Sequence, residues 1–302
     1  MVRVGTLDSG YTIIEVMIFL AISSVVFLFA VEFINGKQSQ VEFSQGMANI
    51  KLQLQQVASN VVNGSFSERA NFSCSSGSTN ANQQTTLVFN NTVSNTQGSN
   101  GGCMLIGYGV QYDVQGTNGS GYAIVPVAVS RVNSSGQPTS SLSEAVPTPI
   151  TADLFGTGSA GIDLVQSGNL EYGIQVTKMY WVNNAVSPPS YNPIDGFAIF
   201  YNVASNNPSN NSSSSVQSVS LYKTGLTAPA PTEKVTGSSV NPFSWYITQI
   251  QSSDRLPSND QIIICFNGAG SSSQKASIVL GSSGNQMAAT MHLIDGVSSE
   301  CL

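Results

Sequence analysis

Hydrophobic and polar positions change their period twice along this chain of 302 residues. Gly10 to Ile34 reads GYTIIEVMIFLAISSVVFLFAVEFI. No residue from Val16 to Val31 is charged, and with Tyr11 to Ile14 in front the run reaches the roughly 20 residues that cross a bilayer as a helix. Residues 11–34 are therefore expected to be a transmembrane helix. Asn35 and Gly36 interrupt the pattern, and Gly in a helix interior costs about 1 kcal/mol relative to Ala, so a bend or local melting is expected there. Apolar positions then return at Phe43, Met47, Ile50, Leu54, Val57 and Val61. Steps of four and three put all six on one helical stripe, opposite a polar side of Gln45, Asn49, Lys51, Gln53 and Gln56. This second segment, 35–63, is expected to lay its stripe on the chain's own downstream domain rather than form a free coiled coil. Asn63 and Gly64 supply its stop.

From Ser65 the period becomes two and turn residues become dense. Ile106, Tyr108, Val110, Tyr112 and Val114 alternate with Gly107, Gly109, Gln111, Asp113 and Gln115, the habit of a strand with one buried face. Further strands are expected at 85–89, 122–129, 171–182, 196–203, 216–223, 261–267, 275–280 and 286–294, the last two flanking a hairpin loop from Gly281 to Asn285. One short helix is expected at Phe243 to Ser252, where Phe243, Ile247 and Ile250 share a face. Polar insertions at 75–84, 90–102, 133–143 and 204–215 read as surface loops, either decoration or adhesive tips. The fold class is thus α+β: a long N-terminal helical spine packed on a mostly antiparallel head, 64–302.

Composition narrows the functional classes. Lys and Arg number 10 against 16 Asp and Glu, a net charge of -6, which offers no basic surface for nucleic acid. Only 9% of the residues are charged. Solubility must come from Ser, Asn, Gly, Thr and Gln, as in exported surface proteins. The chain has no G-x-S-x-G elbow, no phosphate-cradling glycine loop with its Lys, and no H-E-x-x-H. The single histidine, His292, sits in an apolar strand pattern and reads as structural. Asp153, Asp163 and Asp195 offer oxygen ligands without EF-hand spacing, so no metal site is assigned. Neither an enzyme activity nor a cofactor is expected.

Four cysteines, Cys74, Cys103, Cys265 and Cys301, all follow the apolar run, and none forms a C-x-x-C pair. Three pairings are open. Cys74 with Cys103 and Cys265 with Cys301 is preferred because each closes a local loop, worth roughly 3 to 4 kcal/mol by chain entropy. The second link would clamp the C-terminus to a strand.

Glu15 is the anomaly of the apolar run, because a carboxylate at mid-membrane costs on the order of 2.5 to 3.5 kcal/mol. It either snorkels to the headgroups or is paired. The string Gly10, Tyr11, Thr12, Ile13, Ile14, Glu15, Val16, Met17, Ile18 resembles the class III signal of type IV pilins and type II secretion pseudopilins. Tyr11 stands where Phe is usual and Ile13 where Leu is usual, both keeping the apolar bulk. That resemblance implies that residues 1–10 are a leader, with Arg3 and Asp8 in it, removed after Gly10 by a prepilin peptidase and methyltransferase. It further implies a methylated amine on Tyr11 and an assembly role for Glu15. Its partners would be other pilin subunits and the membrane. The protein would be a single-pass membrane protein with its head outside the cytoplasm, later part of a cell-surface filament or pseudopilus. The large head suggests a minor pilin. The alternative is a membrane-anchored adhesin or binding module that shares only the anchor.

Overall fold

The structure is a computed structural model that describes residues 12–63, 73–90, 102–112, 120–150, 164–194, 196–201, 219–224, 250–268, 271–283, 286–293 and 301. The leader 1–10 with Gly10, Tyr11, the three aspartates Asp153, Asp163 and Asp195, the insertion 204–215 and nearly all of 90–102 lie outside them. The chain divides into two compact units, Met1–Gln45 and Gly46–Leu302. An N-terminal helix with mostly antiparallel sheets after it makes the class α+β.

Helix α1 is Ile13–Asn63. It starts at Thr12, whose Oγ1 accepts the Glu15 N–H at 3.3 Å while its carbonyl accepts the Val16 N–H at 3.2 Å. A hydroxyl three residues before a carboxylate is the sequence of a capping box, and it satisfies an N–H left over at a helix start. The helix continues through Asn35 and Gly36, where local melting was expected. One glycine costs less than the hydrogen bonds a break would forfeit. In the first unit, every residue of Ile13–Val31 is exposed, and the segment is long and apolar enough to cross a membrane.

In the second unit the apolar stripe of α1 turns inward, with Met47, Ile50, Leu54, Val57 and Val61 all buried. Gly46 sits where a Cβ would fall 2.5 Å from Ile174 Cδ1, so the missing side chain lets the helix approach the sheet side closely.

The strands are β1 (Ser73–Thr79), β2 (Thr85–Asn90), β3 (Cys103–Tyr112), β4 (Gly121–Ser130), β5 (Thr148–Pro149), β6 (Gln166–Asn169), β7 (Gln175–Asn183), β8 (Ser190–Pro193), β9 (Gly196–Tyr201), β10 (Val219–Thr224), β11 (Gln261–Gly268), β12 (Ser271–Ser283) and β13 (Gln286–Leu293). They form a ribbon β1-β2, a sheet β10-β9-β3-β4-β5 with β6 also on β4, and a sheet β13-β12-β11-β7-β8. Every strand pair is antiparallel.

The central strands are buried on both faces, so the expected one-sided alternation in β3 is wrong: Gly107 and Gly109 are as covered as Tyr108 and Val110. A bulge between Leu105 and Gly107 shifts the β3 register against β4. Gly107 takes φ +155°, and a Cβ there would overlap the Ile199 carbonyl oxygen, so the position demands glycine. One face of this sheet, with Val125, Val127, Val129, Ala198 and Phe200, is roofed by Leu142, Ala145 and Ile250.

That roof corrects two loop expectations. Residues 133–143 are not mere surface decoration. Asn133 Oδ1 accepts the N–H groups of Ser135 and Gln137, both at 3.0 Å, Thr139 Oγ1 donates to the Ser130 carbonyl at 2.7 Å, and Leu142 enters the core. Half of the insertion 75–84 is strand β1. Its sequence, SCSSGST, has little strand propensity, but pairing with β2 and the Cys74–Cys103 link hold it.

Elsewhere the differences concern boundaries. Residues 171–173 form a tight turn ahead of β7, with Tyr172 at φ 54° and Gly173 at 66°. The strand expected at 275–280 runs from Ser271 to Ser283: Lys275 pairs with Asn267 and, past an irregularity, Ser271 with Gly268, while Gly281–Ser283 pair with β13. Most of the helix expected at Phe243 to Ser252 lies outside the described residues. At its end Ile250 and Gln251 are not helical, and Ser252–Asp254 is a single 3-10 turn closed by the Asp254 carboxylate accepting the Gln251 N–H at 2.9 Å.

In the second sheet, Ile262, Ile263, Ile264, Cys265 and Phe266 are all buried. Phe266 meets Tyr112 of the first sheet edge-on, with centroids 6.1 Å apart. Burial, and then the neighbouring Tyr122, push the Tyr112 hydroxyl well above its usual pKa, and burial does the same for Tyr108 and Tyr222. Asp260 is buried with both oxygens occupied, accepting from Trp181 Nε1 at 2.9 Å and the Asn184 N–H at 3.1 Å. Lys223 Nζ lies 3.7 Å from the centre of the Trp181 ring, a cation–π contact that ties β10 to β7.

Candidate functional site

Glu15 is the only charged residue within Ile13–Val31. It occupies the first turn of α1, and its carboxylate is exposed beside the N–H groups that open the helix. Negative charge in a first turn gains about 0.3 to 1 kcal/mol from the helix dipole. The 16 residues from there to Val31 rise about 24 Å, so Glu15 lies at one end of the apolar length and not at its middle. The sequence reading missed Thr12, although the spacing Thr12-x-x-Glu15 was in view. The pair defines the start of the helix and aims Glu15 from a fixed turn.

Within the apolar segment one hydroxyl is satisfied by the helix itself. Ser24 Oγ donates to the Leu20 carbonyl at 2.7 Å, which lets a hydroxyl enter an apolar environment at little cost. Nineteen exposed residues, Ile13–Val31, then present Phe19, Leu20, Phe27, Leu28 and Phe29 around the whole circumference. A helix that is apolar all round is built for lipid or for other apolar helices.

The cysteines form the two local links of the three pairings that the sequence left open. Cys74 and Cys103 have Cα atoms 5.8 Å apart, and Cys265 and Cys301 5.4 Å. The first link lies in a small core with Ala128 and Ile150, the second in one with Val182 and Ile263. Cys301 thereby fixes the penultimate residue to the central strand of the second sheet.

His292 lies in β13 opposite Ser277 and is half-buried. Among the described residues no three His, Cys, Asp or Glu side chains gather as a metal site. The structure therefore brings together Thr12 and Glu15 in one turn, and each cysteine pair in its own core. Gly10 and Tyr11 lie outside the described residues.

Compared with known protein families, with curated proteins and with solved structures, the chain has no match.

Proposed function

We propose that this protein is a structural and assembly subunit of a type IV pilus or a type II secretion-like filament, a minor pilin or pseudopilin. The observation that carries the reading is a single carboxylate, Glu15, in the first turn of α1, within the exposed apolar segment Ile13–Val31. It stands five residues after the Gly10-Tyr11 junction. In this reading residues 11–34 hold the subunit in the membrane with its head outside the cytoplasm, and α1 as a whole is the spine of the subunit. Cleavage after Gly10 frees a cationic amine on Tyr11. A neighbouring subunit displaced along the bundle axis sets that amine against Glu15, replacing an isolated charge with a pair. Desolvation of both partners takes back much of the Coulomb gain, so the pair serves register more than raw affinity. The head, with its two disulfides and a sequence poor in charged residues, suits an oxidising exterior. The partners in this scheme are other pilin subunits and the prepilin peptidase and methyltransferase.

The rival reading, an anchored adhesin, needs neither cleavage nor Glu15. Mass spectrometry of the N-terminal peptide from the membrane and surface fractions separates the two. The expected species starts at a methylated Tyr11. An intact 1–10 leader on surface-associated protein rules the pilin reading out.

A further inference from the structure

A groove of about 350 Å³ opens between the part of α1 that follows Gly46 and the strand β6 with the turn behind it. The helix wall carries Asn49, Gln53 and Gln56, and the facing wall carries Tyr122, Asn169 and Glu171. Buried Ile50 and Leu170 contribute an apolar floor. The volume is at the lower end of small-molecule sites, enough for one or two sugar rings.

The groove's shape is specified by several independent features. Gly46 allows the helix to approach, since a Cβ there would fall 2.5 Å from Ile174 Cδ1 and 3.1 Å from Tyr172 Cδ2. Tyr172 and Gly173 both take left-handed backbone, at φ 54° and 66°. For a tyrosine that conformation is strained. The turn presents Glu171, whose Oε2 accepts from Asn49 Nδ2 at 2.8 Å across 122 residues of chain.

The wall chemistry selects the ligand class. Four side-chain amides offer donors and acceptors together, with one phenol and one carboxylate, and none of the described lining residues is basic. An anion would meet Glu171 with nothing to balance it. An apolar ligand would strip water from the amides without replacing their hydrogen bonds, leaving each of those groups unpaired. A lone carboxylate already engaged by Asn49 is a poor cation site. A neutral ring that carries hydroxyls on its rim and C–H groups on its face fits both the amides and the Tyr122 ring.

We propose that this groove binds a neutral carbohydrate, with Gln56, Asn49 and Asn169 bonding its hydroxyls and Glu171 accepting from one of them. The site is independent of whether the chain assembles into a filament. Full-length protein in lipid nanodiscs is titrated with chitotriose, maltotriose, lactose and sialyllactose, with binding read by saturation-transfer NMR and calorimetry. At least one of the three neutral sugars is expected to bind. Gln56→Ala on one wall and Asn169→Ala on the other, both exposed positions, each weaken it about tenfold while circular dichroism stays unchanged. Sialyllactose is expected to bind no better than lactose. The proposal is overturned if no neutral probe binds at millimolar concentration, if binding is the same in both variants, or if the acidic sugar binds best.

Discussion

Ile13–Val31 exposes every side chain it has, Phe19 at 70% and Phe29 at 69%, whereas Phe197 and Phe200 in β9 have no exposed surface at all. Both stretches are similarly apolar, and both follow the same transfer free energy of about 25 cal/mol per Å². What differs is the supply of partners. In the second unit strands β3 and β10 flank β9 and a roofing loop closes one face, so its apolar area is removed from water by the chain itself. Among its described residues the first unit offers this helix no such cover, and the segment is long and apolar enough to cross a membrane. The polar positions carry the complementary lesson: the head holds buried Asp260 by hydrogen bonds from Trp181 and Asn184, while the apolar segment Ile13–Val31 admits a single charge, at its end.

The comparison is broken most severely by making the first unit polar. Leu20→Arg with Phe27→Arg adds on the order of 5 to 7 kcal/mol to bilayer residence, two central arginines at about 2.5 to 3.5 each. Membrane retention measured by carbonate extraction should fall to background. Retention at the wild-type level would mean that this helix is not the anchor.

The second unit is broken next most severely through its covalent clamp. Cys265→Ser with Cys301→Ser opens a loop of sequence separation 36 and should cost roughly 3 to 4 kcal/mol of stability. A lowered denaturant midpoint of the head, with membrane retention unaltered, is the expected outcome. An unchanged midpoint would mean that the C-terminus adds nothing to the fold.

Glu15→Gln tests the charge that the first unit tolerates. Loss of a charge-assisted contact of about 1.5 to 3 kcal/mol corresponds to a tenfold to hundredfold drop in association. The ratio of subunit in sheared filaments to subunit in membranes, at equal expression, should fall by that order. Membrane insertion should be equal or better, because a neutral amide is cheaper to bury. If the ratio does not move, Glu15 serves only as a helix-start residue with Thr12.

The smallest effect sharpens the comparison from the buried side and appears only in alkali. Tyr108, Tyr112 and Tyr222 have hydroxyls raised above the ordinary tyrosine pKa near 10 by burial. Below about pH 10 both folded and unfolded chains hold neutral phenols, and this stabilisation is fully present. Above that pH the unfolded chain releases protons that the folded chain retains, so stability falls as pH rises. The denaturant midpoint should decline beyond about pH 10, and less steeply in Tyr112→Phe.

The apolar run, the stripe from Met47 to Val61 and the strands β4, β9 and β11 were legible because each carries its own periodicity and enough apolar residues to demand burial. Strand β1 was not. SCSSGST has no apolar alternation, and what makes it a strand is a partner, β2, and a disulfide to Cys103. Leu142 and Ala145 were hidden in the same way, two small apolar signals among serines whose value depends on the sheet face beneath them. The groove was unreadable in principle from a single pass, since Asn49 and Glu171 are ordinary polar residues until the fold sets them 2.8 Å apart.

The sequence by itself determined the local facts: an apolar run long enough to cross a membrane as a helix, one carboxylate near its start, and four cysteines spaced so that two local loops were the preferred of three pairings. Such signals survive without tertiary context because they depend on neighbours within a turn or on bonds between named atoms. Only the tertiary structure decided which polar insertions are structural, why Gly46 and Gly107 have to be glycine, and which amides face one another across the groove. Those depend on contacts between residues far apart in the chain, where a single close approach overrides local propensity.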